Sequence, residues 1–128
     1  MMLDSSAIVA IMLREPTCGD FLDRISSAEF VAIGAPTLFE TAIVLTIKTG
    51  RDGLAMVNDF LQETGVIVVT FSQEHVSAAF QAYLKYGKGR HPAALNFGDC
   101  LSYAAAQVAG QPLLFKGDDF AKTDVKAA

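Results

Sequence analysis

The sequence predicts an α/β domain: a short parallel sheet with helices on both of its faces. Three observations carry that prediction. Short, continuous apolar segments recur at residues 1–3, 30–33, 66–69 and 112–115. Segments of that kind read as strands buried on both faces. Between them lie stretches of helical periodicity, which gives the strand–helix alternation of a parallel sheet. The chain is also 128 residues long and 52% hydrophobic, enough for one domain with a sizeable core, residues 1–128 forming a single unit.

The elements follow in order. Residues 1–3 form the first strand, and Asp4-Ser5-Ser6 leads into a capped helix over 6–14. Pro16-Thr17 resets the chain, and a second helix runs to Ser27 with Phe21, Leu22 and Ile25 at helical spacing. Residues 30–33 are a short buried strand. Pro36-Thr37 opens a third helix that stops near Gly50. A fourth helix covers 52–63, closed by Gly65, and the β-branched run 66–69 is the clearest strand. A fifth helix covers 73–86. Residues 87–92 form a flexible basic loop, and a sixth helix covers 99–108. The strand at 112–115 ends in a Gly117-Asp118-Asp119-Phe120 turn. There is no repeat, linker or low-complexity run.

Several function classes are excluded by composition. A net charge of -4 argues against coating nucleic acid by bulk charge, though not against a local basic groove. Cys18 and Cys100 show no zinc spacing and make no disulfide framework, so free thiols in a reducing cytoplasm are expected. No signal peptide is visible, since Asp4 and Arg14-Glu15 interrupt the N-terminus. The longest apolar stretch, 30–47, contains Gly34, Pro36 and Glu40 and makes a poor membrane span. The expectation is a soluble cytoplasmic protein.

In a parallel sheet, ligands bind outside the carboxyl ends of the strands. That rule gives the acidic residues a meeting place. Asp4 ends the first strand, and Asp118 and Asp119 follow the last. Glu40 shares its side of the third helix with Ile43, Val44 and Ile47, while Thr37, Thr41 and Lys48 mark a polar side. A carboxylate among apolar residues needs a partner or a cation. By the same reading the stripe Phe39, Ile43 and Ile47 belongs to the core. Asp99 opens the sixth helix, and Asn96 three residues earlier completes a capping-box pattern. Each acid has an ordinary structural explanation as a cap, turn or buried pair. Together they would repel one another unless a cation intervened. Oxygen ligands without thiolates or paired histidines suit Mg²⁺, or Mn²⁺, rather than zinc. Such a cation polarises a phosphodiester and lowers the pKa of a bound water.

The remaining polar residues are secondary. His75 and His91 have no ligand spacing, and His75 reads as a surface residue at a helix start. Lys85, Lys88, Arg90 and His91 surround the basic loop just before Asp99. They form either a solvated loop or a lip for an RNA backbone. Lys116 follows the last strand, where it can touch a phosphate or merely flank the turn.

Four stretches, MLDSSA, PTLFETAIVL, LNFGDCLSYA and PLLFKGDDFAKTDV, stand in order along nearly the whole chain. With them the sequence resembles a PIN-domain ribonuclease, specifically the VapC toxin of toxin–antitoxin systems. The resemblance implies a PIN-like fold and a Mg²⁺-dependent endoribonuclease, with Asp4 and Asp99 as the firmest metal ligands. Glu40 and Asp118 would complete the site, directly or through water, with the adjacent Asp119 as the other choice. Ser6 would hold an acid or a water, and Asn96 would orient Asp99. On the lip reading of the basic loop, Lys88 and Arg90 would face the RNA, and Lys116 would join them if it touches a phosphate. The resemblance also implies a homodimer and a VapB-like antitoxin that blocks the acidic pocket. A receiver-like signalling domain fits poorly, because the first strand supplies Asp4 alone and 66–69 is followed by Thr70-Phe71-Ser72. An aspartyl phosphatase would want a second acid where Ser6 stands. A PIN-like module that only binds a partner is the other alternative.

Overall fold

A computed structural model describes all of residues 1–128. Its four strands are β1 (Met2–Leu3), β2 (Ala32–Gly34), β3 (Ile67–Val69) and β4 (Leu113–Leu114). They pair in parallel in the order β3-β2-β1-β4. The helices are α1 (Ser5–Met12), α2 (Cys18–Ser27), α3 (Ala35–Thr49), α4 (Gly53–Thr64), α5 (Gln73–Tyr86) and α6 (Phe97–Ala109). A 3-10 turn, Phe120–Lys122, follows β4. No helix is long and apolar enough to cross a membrane.

The sheet is a divider between two cores. Met2 pairs with Ala32 and with Leu113, and all three point into the core built with α5 and α6. Their neighbours Leu3, Ile33 and Leu114 point the other way, into the core built with α1 to α4. Period-two alternation therefore puts apolar residues on both faces of strands only two or three residues long. This is the covered parallel sheet that the sequence predicts.

Two expectations about burial fail. The sequence predicts β3 as a buried strand, but it is the edge of the sheet, and Ile67 and Val68 are half exposed. A β-branched run marks a strand well, but it does not say whether the strand is central. The second failure is on α3. Phe39, Ile43 and Ile47, expected in the core, are 68%, 44% and 77% exposed. The buried face is instead Thr37, Thr41, Ala42 and Leu45. The threonines tolerate burial because their hydroxyls are satisfied. Thr41 Oγ1 donates to the Thr37 carbonyl at 2.7 Å, and Thr37 Oγ1 lies 3.3 Å from Ser102 Oγ. Small groups on this face also admit a close neighbour: a Cβ on Gly53 of α4 would sit 2.1 Å from the Ala42 carbonyl oxygen.

Element ends are set by local chemistry. Left-handed glycines at Gly50, Gly65 and Gly110 stop α3, α4 and α6. Ser72 and His75 form a reciprocal cap that starts α5, so His75 is indeed a residue of an exposed helix start. Helix α6 starts at Phe97, earlier than the expected Asp99, because Asn96 and Asp99 cap it together. The loop after α5 is tied rather than loose: Lys88 N donates to Leu95 O at 3.0 Å and Leu95 N to Tyr86 O at 2.9 Å.

Candidate active site

The acids lie about the carboxyl ends of β1 and β4, where the strand order reverses its sense. In strand order β1 lies between β2 and β4, so the chain leaves β1 into α1 beside the point where it leaves β4 into the turn before the 3-10 segment. Asp4 follows β1 directly, caps α1 and is 4% exposed. Its Oδ2 accepts from Ser6 N at 3.0 Å and from Ser6 Oγ at 2.5 Å. The same Ser6 hydroxyl accepts from Lys116 N at 2.9 Å, and Asp4 N donates to Leu114 O at 2.9 Å. Ser6 thus links the end of β1 to the end of β4 and fixes the orientation of Asp4.

Asp99 arrives on α6. Its Oδ2 accepts from Asn96 N at 2.9 Å, and Asn96 Oδ1 accepts from Asp99 N at 2.8 Å. This is the reciprocal cap read from the sequence. It holds the side chain at the amino end of the helix, where backbone N–H groups favour negative charge. Even so, the Asp99 carboxyl is pushed up to about 6. Burial is the largest cause, and the charges of Asp4, Asp119 and Glu40 add to it against the stabilising bond from Asn96.

Glu40 reaches the same place from α3. It is half-buried and lines one groove with Ile43 and Val44, two of the three neighbours expected on its side, although Ile43 there is exposed rather than core. Its carboxylate lies on Gly98: a Cβ there would fall 1.9 Å from Oε2 and 2.8 Å from Cδ. Asp118 and Asp119 are both exposed in the turn after β4, which Gly117 opens with φ 100°. Of the two, Asp119 is the one whose charge contributes to the shift of Asp99.

The basic residues are arranged differently. Lys116 sends its ammonium to Glu15, away from the acids it follows in sequence. Arg90 lies over the Tyr83 ring at 5.1 Å, and Lys85 pairs with Asp124 at 3.3 Å. Lys88 lines a groove of about 1020 Å³ between α3, α5 and α6, whose wall also includes Glu40 and Asn96. That groove is mostly apolar, with Phe39, Phe80 and Phe97 exposed along it.

Sequence reasoning missed the groove, the bridge from Ser6 to Lys116 and the contact of Glu40 with Gly98. Only the last had a signal: a glycine inside the first turn of a helix weakens it and calls for a packing reason.

The donors at this site are carboxylates, the set a hard divalent cation takes. Burial, with a smaller part from the charges of Asp4, Asp119 and Glu40, raises Asp99, and a cation would relieve both. As the side chains stand, no three of them close into a ready-made metal cage. The residues fit such an ion in chemistry and charge.

Fold and site together define a class: residues 1–126 match the family model described as PIN domain. The chain is 42% identical over 127 residues to Ribonuclease VapC36 of Mycobacterium tuberculosis, covering 98% of this chain and 91% of that one. It is also 42% identical over 127 residues to Ribonuclease VapC of Mycolicibacterium smegmatis, covering 99% and 98%. The chain therefore belongs to the PIN-domain family, among its VapC-type ribonucleases. Solved structures agree on the fold. Mycobacterium tuberculosis VapC20, described as a sarcin-ricin loop cleaving toxin, superposes with a TM-score of 0.77 at 19% identity, over 99% of this chain and 97% of that one. VapBC2 of Rickettsia felis, solved bound to a DNA fragment from its promoter, gives 0.74 at 15% identity, over 99% and 96%.

Proposed function

We propose that this chain is the toxin of a toxin–antitoxin pair, and that it hydrolyses RNA as a Mg²⁺-dependent endoribonuclease, with Mn²⁺ able to substitute. The observation that carries this reading is that Asp99, on α6, feels the charges of acids from separate parts of the chain. They leave Asp99 raised to about 6 by burial and by the charges of Asp4, Asp119 and Glu40. Such crowding costs a fold stability and suits a cation site. Relatives at 42% identity that carry the name ribonuclease support it.

Asp4 and Asp99 would hold the cation, with Glu40 and one of Asp118 and Asp119 completing the set directly or through water. When bound, the ion supplies a positive charge opposite the phosphate oxygens and makes a water acidic enough to attack near neutral pH. The chain's own residues supply orientation. Ser6 holds Asp4, and Asn96 holds Asp99. Lys88 and Arg90 are exposed on the loop before α6 and are proposed to meet the RNA backbone. Lys116 contributes through its backbone N–H to Ser6, and its ammonium would have to leave Glu15 to reach a phosphate.

The proposed partners are a VapB-like antitoxin, which would cover the acids, and a second copy of the chain. Toxin–antitoxin complexes among the similar folds support the first. For the second copy the apolar face of α3, α5 and α6 is the natural surface, since Phe39, Ile47 and Phe97 are 68%, 77% and 82% exposed there. The proposed setting is the cytoplasm.

The test uses the chain purified free of antitoxin. Cellular RNA is incubated with it in Mg²⁺, in Mn²⁺ and in EDTA, beside an Asp99→Asn variant. Discrete cuts that vanish in EDTA and in the variant are expected. A folded wild type that binds Mn²⁺ and RNA but leaves every RNA intact would favour the module that only binds. Sedimentation velocity checks the dimer, which Ile47→Glu should turn into monomer.

A further inference from the structure

Gly98 stands in the first turn of α6, between the capping Asn96 and Asp99. Glycine is a poor choice for a helix, so it needs a reason. Backbone conformation is not that reason: the glycines with positive φ are Gly50, Gly65, Gly89, Gly110 and Gly117. Space is the reason. A Cβ on Gly98 would meet Glu40 Oε2 at 1.9 Å, Cδ at 2.8 Å and Oε1 at 3.0 Å, which are the three nearest atoms. No side chain survives a contact of 1.9 Å, so an alanine would force Glu40 to move. The obstacle is the tip of a flexible, half-buried side chain rather than backbone. The fold would therefore survive, and the damage would fall on the position of one carboxylate.

We propose that Gly98 is a positioning residue of the site. The missing side chain there forms a seat that lets Glu40, from α3, lay its carboxylate on the amino end of α6 beside Asp99. The role as a metal-site determinant rests on the function proposed above. The seat aligns two acids from different helices. Asp99 is fixed by its own helix cap, whereas Glu40 has no hydrogen-bonded anchor of that kind and depends on the shape of the surface beneath it.

The test is a double-mutant cycle between Gly98→Ala and Glu40→Asp, which shortens the acid by one methylene. It reads Mn²⁺ affinity by electron paramagnetic resonance without RNA, thermal unfolding, and RNA cleavage. In wild type, a nuclear Overhauser contact between the Glu40 γ-methylene and the Gly98 α-protons reports the seat directly. Gly98→Ala alone should weaken Mn²⁺ about tenfold or more, the scale of a lost orienting partner, with Tm unchanged or raised by the better helix former. Glu40→Asp should harm the site when Gly98 is present and improve it in the Gly98→Ala background. That reversal of sign is expected of a seat and of no general loss of stability. If Gly98→Ala binds Mn²⁺ like wild type, or if the wild type lacks the Overhauser contact, the seat is overturned. A wild type that shows the contact yet binds no Mn²⁺ and cuts no RNA supports the seat as geometry and overturns the proposed function.

Discussion

Asp99 and Asp124 both lie against α6, and the protein treats their charges in opposite ways. Asp124 Oδ1 accepts from the Tyr103 hydroxyl at 2.6 Å, and Oδ2 accepts from Lys85 at 3.3 Å. Its backbone N–H donates to the Tyr86 hydroxyl at 3.2 Å. The bond from Tyr103, helped by Lys85, holds the Asp124 carboxyl below its usual range. Asp99 has one donor, the Asn96 N–H, and is pushed up to about 6 by burial and three neighbouring acids. A carboxylate that serves the fold is given donors and a cation. The carboxylate proposed to serve a ligand is left crowded with its own kind. The first pins the C-terminal segment to α5 and α6. The second leaves the amino end of α6 with a buried, crowded carboxyl, the feature on which the proposed cation site rests.

The largest effect should separate the two aspartates by activity. Asp4→Asn and Asp99→Asn keep the shape and hydrogen-bonding reach of the side chain but remove its charge. Each should lower RNA cleavage by about a hundredfold or more, on the scale of disrupting the support of a metal site. Asp124→Asn should leave cleavage within about twofold of wild type, because it shares no partner with the acids of the site. Initial rates on one labelled RNA, at saturating Mg²⁺, check all three. A loss in Asp124→Asn as deep as that in Asp99→Asn would erase the distinction.

The next effect is on stability. A cation that binds only the folded protein should raise stability by about 2.7 kcal/mol at one hundred times its dissociation constant. Melting curves with and without Mn²⁺ should show this for wild type and for Asp124→Asn, and show little of it for Asp99→Asn. An equal rise in all three proteins would mean that the ion binds elsewhere.

The Asp99 side of this contrast is legible in the sequence, and the Asp124 side is not. Asp4 at the end of β1 and the Asn96–Asp99 cap are local patterns, decided by residues within a few positions of each other. The strand–helix alternation and the covered sheet are likewise written in short-range hydropathy. What failed was whatever depends on distant packing. Phe39, Ile43 and Ile47 look like core, and Thr37 and Thr41 look like surface. The hydroxyl bonds within α3 and to Ser102 reverse that order, and no hydropathy scale contains them. The run at 66–69 names a strand but not its place at the sheet edge. Asp118 and Asp119 are adjacent, so the turn that follows Gly117, not the spacing, decides which of them Asp99 feels. The Tyr103–Asp124 pair joins a helix to the tail and has no signature in sequence.

The smallest effect is the most direct reading of the contrast, because it compares pH dependences of opposite sign in the same protein. Without divalent cations, the raised Asp99 gives a contribution to stability that is full below the unfolded value near 3.8 and is lost as pH rises through about 6. Asp99→Asn should therefore gain on wild type as pH rises from about 4 to 7. Asp99 is partly open to solvent, so screening reduces the gain to about 1 kcal/mol. The lowered Asp124 works the other way: its contribution is present above the unfolded value and is lost as pH falls through the lower folded one. Asp124→Asn should fall below wild type at neutral pH by about 0.5 kcal/mol, a modest figure because the side chain is half exposed. In strong acid that difference should disappear. Urea unfolding at about pH 4, 5.5 and 7.5 in EDTA gives both curves. If the Asp99→Asn difference has the same sign and slope as that of Asp124→Asn, the crowding at α6 is not electrostatic. The helix cap alone would then account for Asp99.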